Sequence, residues 1–197
     1  MSKATLEARE TRTNQDVNQR VTLGSGDLYV VKFNGGSVPD NKTIEVPDNL
    51  IGGIKGGAEL SYKPTIYTVK DDKGVVHKVF ITDTEVIFKS GILTWNNTVL
   101  NKLSLGGELE VTEHKSTLKL GKVGEIENYL IRFVHTIDKE GRKYRVTIVG
   151  TPQNGFVLPF SPEEETVIDA EFVAGSIDKT GLKLILEEEK TPGGGEV

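Results

Sequence analysis

The chain contains no cysteine, and that absence excludes a disulfide framework, a thiolate metal site and a thiol nucleophile. Histidine is also scarce: His77, His114 and His135 have no second histidine three or four residues away. A zinc site would therefore need ligands from distant strands. His135 continues the alternation of Phe133 and Ile137, so it is better explained as a core or interface residue.

The sequence also lacks long apolar runs and an excess of basic charge. No segment approaches the ~20 apolar residues of a membrane helix. No apolar segment follows a basic leader, which predicts a soluble, cytosolic protein with no membrane partner. The 24 basic and 29 acidic residues give a net charge of -5. That balance argues against a duplex-DNA binder, although an acidic protein can pass a polyanion without retaining it.

Motifs of nucleophilic and phosphate-binding enzymes are missing as well. There is no G-x-S-x-G pattern to mark a nucleophile. The glycine-rich stretch 52–57 places its lysine between two glycine pairs and precedes a strand-like segment, whereas a phosphate loop opens a helix. We expect it to be a flexible joint at which a hairpin leaves the sheet. The acidic run 163–165 is typical of a solvated turn, so no catalytic residue, cofactor or metal is predicted.

What is present predicts a single all-β domain. The 197 residues, of which 36% are hydrophobic, can supply a core large enough for the chain to fold without disulfide bonds or bound metal ions. Residues 1–20 are polar and are expected to form a flexible arm that orders against a neighbour, with a weak helix near 4–10 as the alternative. The β domain is predicted to span 21–189. Residues 190–197 end in a glycine-rich run, which predicts a disordered tail.

The most informative stretch, 54–95, predicts a long β-hairpin followed by a third strand. Leu60, Tyr62 and Ile66 share one parity, interrupted by Pro64, a residue expected at a bulge or a sheet edge. The return strand is predicted to place Val79 and Ile81 on one face and Phe80, Val86 and Phe88 on the other. Because both faces carry apolar residues, we expect the hairpin to contact protein on both sides: the subunit's own core and a neighbouring subunit.

Further strands and one short helix are predicted along the rest of the chain. The helix lies between Asn96 and Gly107, with an asparagine cap and an apolar stripe that packs on a sheet. Residues 37–53 contain two prolines and two glycines and are expected to form a long loop. The alternating segment 129–137 predicts a half-buried strand. Asp-x-x-Gly turns recur, and their first residues are Asp71, Asp138 and Asp178.

Four segments taken in order carry a family resemblance. They are Val21–Val30, Ile54–Tyr67 with its turn at 71–74, Phe80–Asn96, and Phe160–Phe172 with the turn and strand that follow. Together they cover about Val21 to Glu187. On these segments the chain resembles the tail tube (major tail) proteins of tailed bacteriophages of Gram-positive hosts, of the siphophage type.

The resemblance implies a β-sandwich or barrel with one flanking helix and a long hairpin, the tail tube fold. It implies hexameric rings that stack into the tail tube of a virion, after assembly in the host cytoplasm. A hairpin from each subunit would line a typically acidic lumen that passes genomic DNA without specific binding. The arm 1–20 and the loop 37–53 would bridge to the next ring or to tape-measure and tail-end proteins. The residues expected at the lumen wall and ring contact are Glu59, Tyr62, Tyr67, Asp71, Asp72, Phe80, Glu85 and Phe88.

Two other function classes fit the same sequence. One is a monomeric β-sandwich that binds carbohydrate, with a platform built from Tyr29, Tyr62, Tyr67 and Trp95, although strand aromatics are more often core or interface residues. The other is the tube of a bacterial injection system, which shares the tail tube fold. Of the function classes considered, the sequence favours an enzyme least.

Overall fold

Nine strands make up about half of the chain that the computed structural model describes, namely residues 26–121, 126–137 and 141–190. The strands are β1 (Asp27–Lys32), β2 (Ile54–Lys70), β3 (Val76–Ile92), β4 (Glu108–Val111), β5 (Ser116–Lys119), β6 (Tyr129–Thr136), β7 (Lys143–Pro152), β8 (Ile168–Ala174) and β9 (Leu184–Glu188). The helices are α1 (Asn41–Ile44) and α2 (Asn97–Leu103), with a 3₁₀ helix at Pro47–Asn49. The prediction of a mainly-β fold is confirmed. The predicted arm 1–20, the turn that starts at Asp138 and the tail from 191 lie outside the described residues.

Seven of the strands form one antiparallel sheet in the order β1-β6-β7-β8-β3-β2, and β9 also pairs with β7. The sheet branches because β7 is long: residues 144–148 pair with β9, and residues 150–152 pair with β8. Strands β4 and β5 form a separate small hairpin. Within the described chain, the terminal strands β1 and β2 do not pair with each other, so a closed barrel or a sandwich stays a prediction.

The main core lies between one face of this sheet and α2. Within this core the rings of Phe88 and Phe133 pack together, with their centroids 5.7 Å apart. Helix α2 begins as predicted, since the Asn96 side chain accepts a hydrogen bond from the Val99 amide at 3.0 Å. Three apolar side chains of the helix are buried against the sheet: Val99, Leu100 and Leu103. The predicted helix on a sheet is therefore confirmed.

The prediction of a long loop over residues 37–53 was wrong, because this region contains α1 and the 3₁₀ helix. Asp40 accepts a hydrogen bond from the Thr43 amide at 2.8 Å and so caps α1. Ile44 is buried in a second apolar cluster on the other face of the sheet, where it joins Leu130 and Val149. This segment thus covers a sheet face that the sequence pattern treated as solvated.

Strand β6 is accordingly buried on both faces, which corrects the prediction of a half-buried strand. Ile131 belongs to the main core, and its neighbour Leu130 belongs to the second cluster. Arg132 is only 3% exposed although it is charged. His135 is also buried, as predicted. The alternation of the sequence revealed one apolar face but not the segment that covers the other.

Candidate assembly hairpin

Strands β2 and β3 form the long hairpin that the sequence predicted. Both strands are 17 residues long, but among the described residues β8 pairs only with residues 87–92 of β3, and β2 pairs only with β3. Residues 76–86 are therefore paired on one side alone, as a two-stranded ribbon. At ~3.3 Å per residue this ribbon is about 35 Å long. Pro64 lies in the edge strand β2, where a missing backbone N–H is tolerated.

The hairpin turns at the predicted residues. The Asp71 carboxylate accepts hydrogen bonds from the amides of Lys73 at 3.0 Å and Val75 at 2.8 Å, and Gly74 has a φ of 80°. The hydrogen bond from the Val75 amide is the main cause that lowers the pKa of Asp71. In the same way, the Asp178 carboxylate accepts a hydrogen bond from the Thr180 amide at 2.8 Å. Repeated Asp-x-x-Gly turn chemistry is confirmed at these two positions.

A glycine bulge, rather than a phosphate loop, lies at the base of the hairpin. Gly56 and Gly57 have φ values of 82° and 80° within β2, and the strand register shifts beside them. A Cβ atom on Gly91, in β3, would lie 2.3 Å from the Lys55 carbonyl oxygen. Since strand β2 continues after the glycines, they open no helix N-terminus at which a phosphate would bind.

A second bulge, at Thr82, determines which side chains share a face. Thr65 pairs with Asp83, but the next residue, Ile66, pairs with Ile81, so Thr82 is an extra residue in β3. Directly opposed residues of an antiparallel pair lie on the same face. The prediction that Phe80 shares a face with Val86 and Phe88 was therefore wrong, because the bulge shifts the alternation.

The register defines two chemically different faces. We call one the apolar face: it consists of Leu60, Tyr62, Pro64, Ile66, Thr68, Val79, Ile81, Thr84, Val86 and Phe88. We call the other the charged face: it consists of Glu59, Ser61, Lys63, Thr65, Tyr67, Val69, Lys78, Phe80, Asp83, Glu85, Ile87 and Lys89. The apolar face contains no ionisable group other than a tyrosine, whereas all the charges of this part of the hairpin lie on the charged face.

In the part of the subunit that the structure describes, only the base of the apolar face is buried. Val86 and Phe88 are inaccessible core residues, but farther out Tyr62 is 57%, Ile66 59% and Ile81 65% exposed. The predicted contact with the subunit's own core is thus confined to the base. An apolar strip rarely stays exposed on a monomeric protein, so its outer part is a candidate contact surface.

The charged face is a ladder of cross-strand pairs. Glu59 lies opposite Lys89, and Lys63 lies opposite Glu85. Farther out, Tyr67 lies opposite Phe80, whose ring centroid is 4.7 Å from the Lys78 ammonium group. From residue 59 to residue 89 there are five carboxylates at 59, 71, 72, 83 and 85 and five lysines at 63, 70, 73, 78 and 89. The net charge of -5 consequently does not come from the hairpin.

The structure distributes the predicted site residues over several environments. Glu59, Tyr67, Phe80 and Glu85 lie on the charged face, Tyr62 lies on the apolar face, and Asp71 and Asp72 lie at the tip. Phe88 packs in the core of the subunit and has no surface to offer to a partner.

The four aromatic residues proposed as a sugar platform do not lie together. Tyr62 and Tyr67 are on opposite faces of the hairpin. Tyr29 packs on the second apolar cluster, and Trp95 packs on the main core and against Phe160, with ring centroids 6.4 Å apart. These positions give no single aromatic surface of the kind that binds a sugar ring.

A shallow groove of about 450 Å³ lies where the apolar face leaves the body. Tyr62, Thr84 and Val86 line one side, and the C-terminal segment 181–186 lines the other. The Lys183 ammonium group crosses between them and donates to the Asp83 carboxylate at 3.0 Å. Sequence patterns did not indicate this groove, because its two walls are about one hundred residues apart.

A buried ionic cluster also escaped the sequence analysis. The Glu45 carboxylate accepts hydrogen bonds from Arg145, from Lys143 at 3.0 Å and from Arg132 at 3.4 Å. Arg145 in turn contacts Glu187 at 2.9 Å and Glu189 at 2.7 Å. The cluster therefore ties the end of α1 to β6, β7 and β9. The sole sequence signal was an arginine inside each of two apolar strands.

The electrostatics of the cluster favour its charged form. Burial raises the pKa of the Glu45 carboxyl, but the hydrogen bonds from Arg145 and Lys143 outweigh it and leave the pKa below its ordinary value. Burial lowers the pKa of Arg145, yet the Glu45 and Glu189 carboxylates raise it overall. Three cations and three carboxylates thus compensate each other in a setting that is typical of structural rather than catalytic groups.

Comparison with known protein-family models and with curated proteins finds no match to this chain. In the described ranges, no group of three or more histidines and carboxylates is arranged to hold a metal ion. The helices in those ranges are too short and too polar for any to cross a bilayer.

Proposed function

We propose that this chain is a structural subunit that assembles with copies of itself into stacked, hexameric rings, which form the tail tube of a bacteriophage virion. The observation that carries the proposal is the 35 Å ribbon, estimated at ~3.3 Å per residue, with both outer strand edges unpaired in the described chain and an exposed apolar face. Such edges invite pairing with another chain unless they are covered.

A ring provides that cover for every copy. In a heterologous contact each subunit presents its own hairpin to one neighbour and receives the hairpin of the other neighbour. The ring closes if the rotation from one copy to the next is a whole fraction of a full turn. The proposed role is non-catalytic and uses no cofactor. Its partners would be further copies of the chain, tape-measure and tail-end proteins, and the DNA that passes through the tube.

Electron microscopy of the concentrated protein over a range of salt tests the proposal. We expect rings with a central pore, or hollow tubes. Replacing residues 63–85 by Asn-Gly removes the outer hairpin and keeps the buried Val86 and Phe88, so the variant should fold and yet form no tubes. Tubes formed by this shortened chain would disprove the role of the hairpin.

A tube of a bacterial injection system would use the same ribbon. Neighbouring genes discriminate between the two: tape-measure and capsid genes indicate a phage tail, and secretion-apparatus genes indicate an injection system. A monomeric sugar-binding module is disfavoured because the four aromatic residues lie apart.

A further inference from the structure

We infer that, within the assembly proposed above, the hairpin turns its apolar face to a second copy of the chain and its charged face to the lumen, which is then lined by charges of both signs rather than by an acidic surface. The inference rests on the proposed function, because it assigns the two faces of the same hairpin to two different partners. It differs from the acidic lumen that the family resemblance implies.

The apolar face requires a protein partner. Tyr62, Ile66 and Ile81 are each more than half exposed, and this face carries no charge between Leu60 and Thr68 or between Val79 and Phe88. A two-stranded ribbon alone is marginally stable in water. Covering this face removes the apolar side chains from water and supports the ribbon at the same time.

Area and charge indicate that the partner is another copy. A ribbon about 35 Å long and ~10 Å wide offers roughly 350 Å² per face, estimated from strand spacings. A stable interface needs about 800 Å² per partner, so one hairpin laid on a foreign protein would fall short. In a ring each copy takes part in two such contacts, about 700 Å² per copy in all. Pairing along the open strand edges adds backbone hydrogen bonds to each contact. The equal numbers of carboxylates and lysines let identical hairpins lie side by side without net repulsion.

The inner half of the charged face suits water and a passing polyanion, whereas its outer half exposes the rings of Tyr67 and Phe80 beside the Lys78 ammonium group. Each glutamate of its inner half, Glu59 and Glu85, lies opposite a lysine of the neighbouring strand. Asp83 is engaged by Lys183 from outside the hairpin. A DNA phosphate near this wall would meet Lys63 and Lys89 opposite a carboxylate and Lys78 over the Phe80 ring, so neither tight retention nor uniform repulsion is expected.

The absence of cysteine makes a direct test possible, because a single introduced thiol reports on its position alone. Neighbouring residues of β2 provide a matched pair: Ile66→Cys on the apolar face and Thr65→Cys on the charged face. Ile81→Cys and Phe80→Cys form the second pair, on β3. Each full-length variant is labelled with a small maleimide, first as dilute protein and then as assembled particles that have been inspected by electron microscopy.

Assembly should slow labelling at positions 66 and 81 by about tenfold or more, since the centre of an interface is packed like a protein interior. Labelling at positions 65 and 80 should change less than about twofold, since a lumen wall stays in water. Tubes in which the charged-face thiols are protected, or both faces equally, would overturn the assignment of faces and leave the tube intact. Protection at 66 and 81 in particles that are neither rings nor tubes would support the contact of the apolar face with another copy and disprove the tube. A chain that stays monomeric under all conditions, with both pairs equally reactive, would overturn both.

Discussion

Glu45 and Arg145 are one hundred residues apart in the chain, and the two oxygens of the Glu45 carboxylate accept hydrogen bonds from Nε and Nη2 of the Arg145 guanidinium group. Their side chains are only 8% and 5% exposed. The pair fastens α1 to the face of the sheet that the sequence pattern left uncovered.

Replacing Glu45 with glutamine should therefore lower the free energy of unfolding by about 3–5 kcal/mol, because it leaves the Arg145 charge buried without this partner. Urea unfolding monitored by circular dichroism measures the loss. Glu164→Gln makes the same change from carboxylate to amide at an exposed position, so it is the control and should have little effect on the free energy of unfolding. A loss below about 1 kcal/mol for Glu45→Gln would show that the cluster does not hold α1.

The same pair predicts the direction of acid sensitivity. The pKa of Glu45 is lower in the folded protein than its ordinary value of 4.5. The ionised carboxylate therefore stabilises the fold above pH 4.5, and this stability is lost as the pH falls through the folded-state pKa. Thermal unfolding from pH 7 to pH 3 should show a steeper decline for the wild-type chain than for Glu45→Gln. Parallel curves for the two proteins would contradict this origin of the acid sensitivity.

A charge on the apolar face should block assembly and leave the fold intact. Ile66→Asp places a carboxylate where Ile66 is 59% exposed in the isolated chain, so we expect a change in stability within about 0.5 kcal/mol. Burying that carboxylate in the proposed interface would be costly, and tubes should disappear. Ser61→Asp, on the charged face of the same strand and opposite the uncharged Ile87, should still form tubes. Sedimentation and electron microscopy compare the two, and an equal loss in both variants would refute the distinction between faces.

Reversing one charge of the ladder should weaken assembly in a salt-dependent manner. Lys63→Glu places a carboxylate directly opposite the Glu85 carboxylate, and this repulsion disfavours the ribbon by up to about 1 kcal/mol. Exchanging both residues, Lys63→Glu with Glu85→Lys, should restore tube yield. High salt should also restore it, since ~1 M salt screens charges beyond about 3 Å. Loss of tubes that neither salt nor the exchange reverses would exclude the charge pair as the cause.

Gly91 should tolerate no side chain. A Cβ atom there meets the Lys55 carbonyl oxygen at 2.3 Å, a backbone atom of the paired strand that cannot rotate away. We expect Gly91→Ala to cost about 1–3 kcal/mol in urea unfolding, the usual range for overpacking. Gly175→Ala is the matched control, since its nearest contact is an ordinary 3.9 Å. Equal stability of the two variants would show that the bulge at the hairpin base relaxes freely.

Local chemistry was sufficient to predict several elements. The turn at Asp71 followed from a carboxylate that caps its own amides and a glycine that takes positive φ. Helix α2 followed from the Asn96 cap and its apolar stripe. The long hairpin and the mainly-β fold followed from alternation with period two. All these signals depend on residues a few positions apart.

Other features depend on pairings over long distances in the chain. Alternation alone placed Phe80 with Val86, and the single extra residue Thr82 reversed that relation, because a bulge shifts every side chain beyond it to the opposite face. The contact of Glu45 with Arg145 likewise requires the chain to close over one hundred residues. Local patterns in the sequence determined where strands, turns and the helix form. Strand register and the burial of charge arise only in the folded chain, since each depends on which distant segment lies opposite.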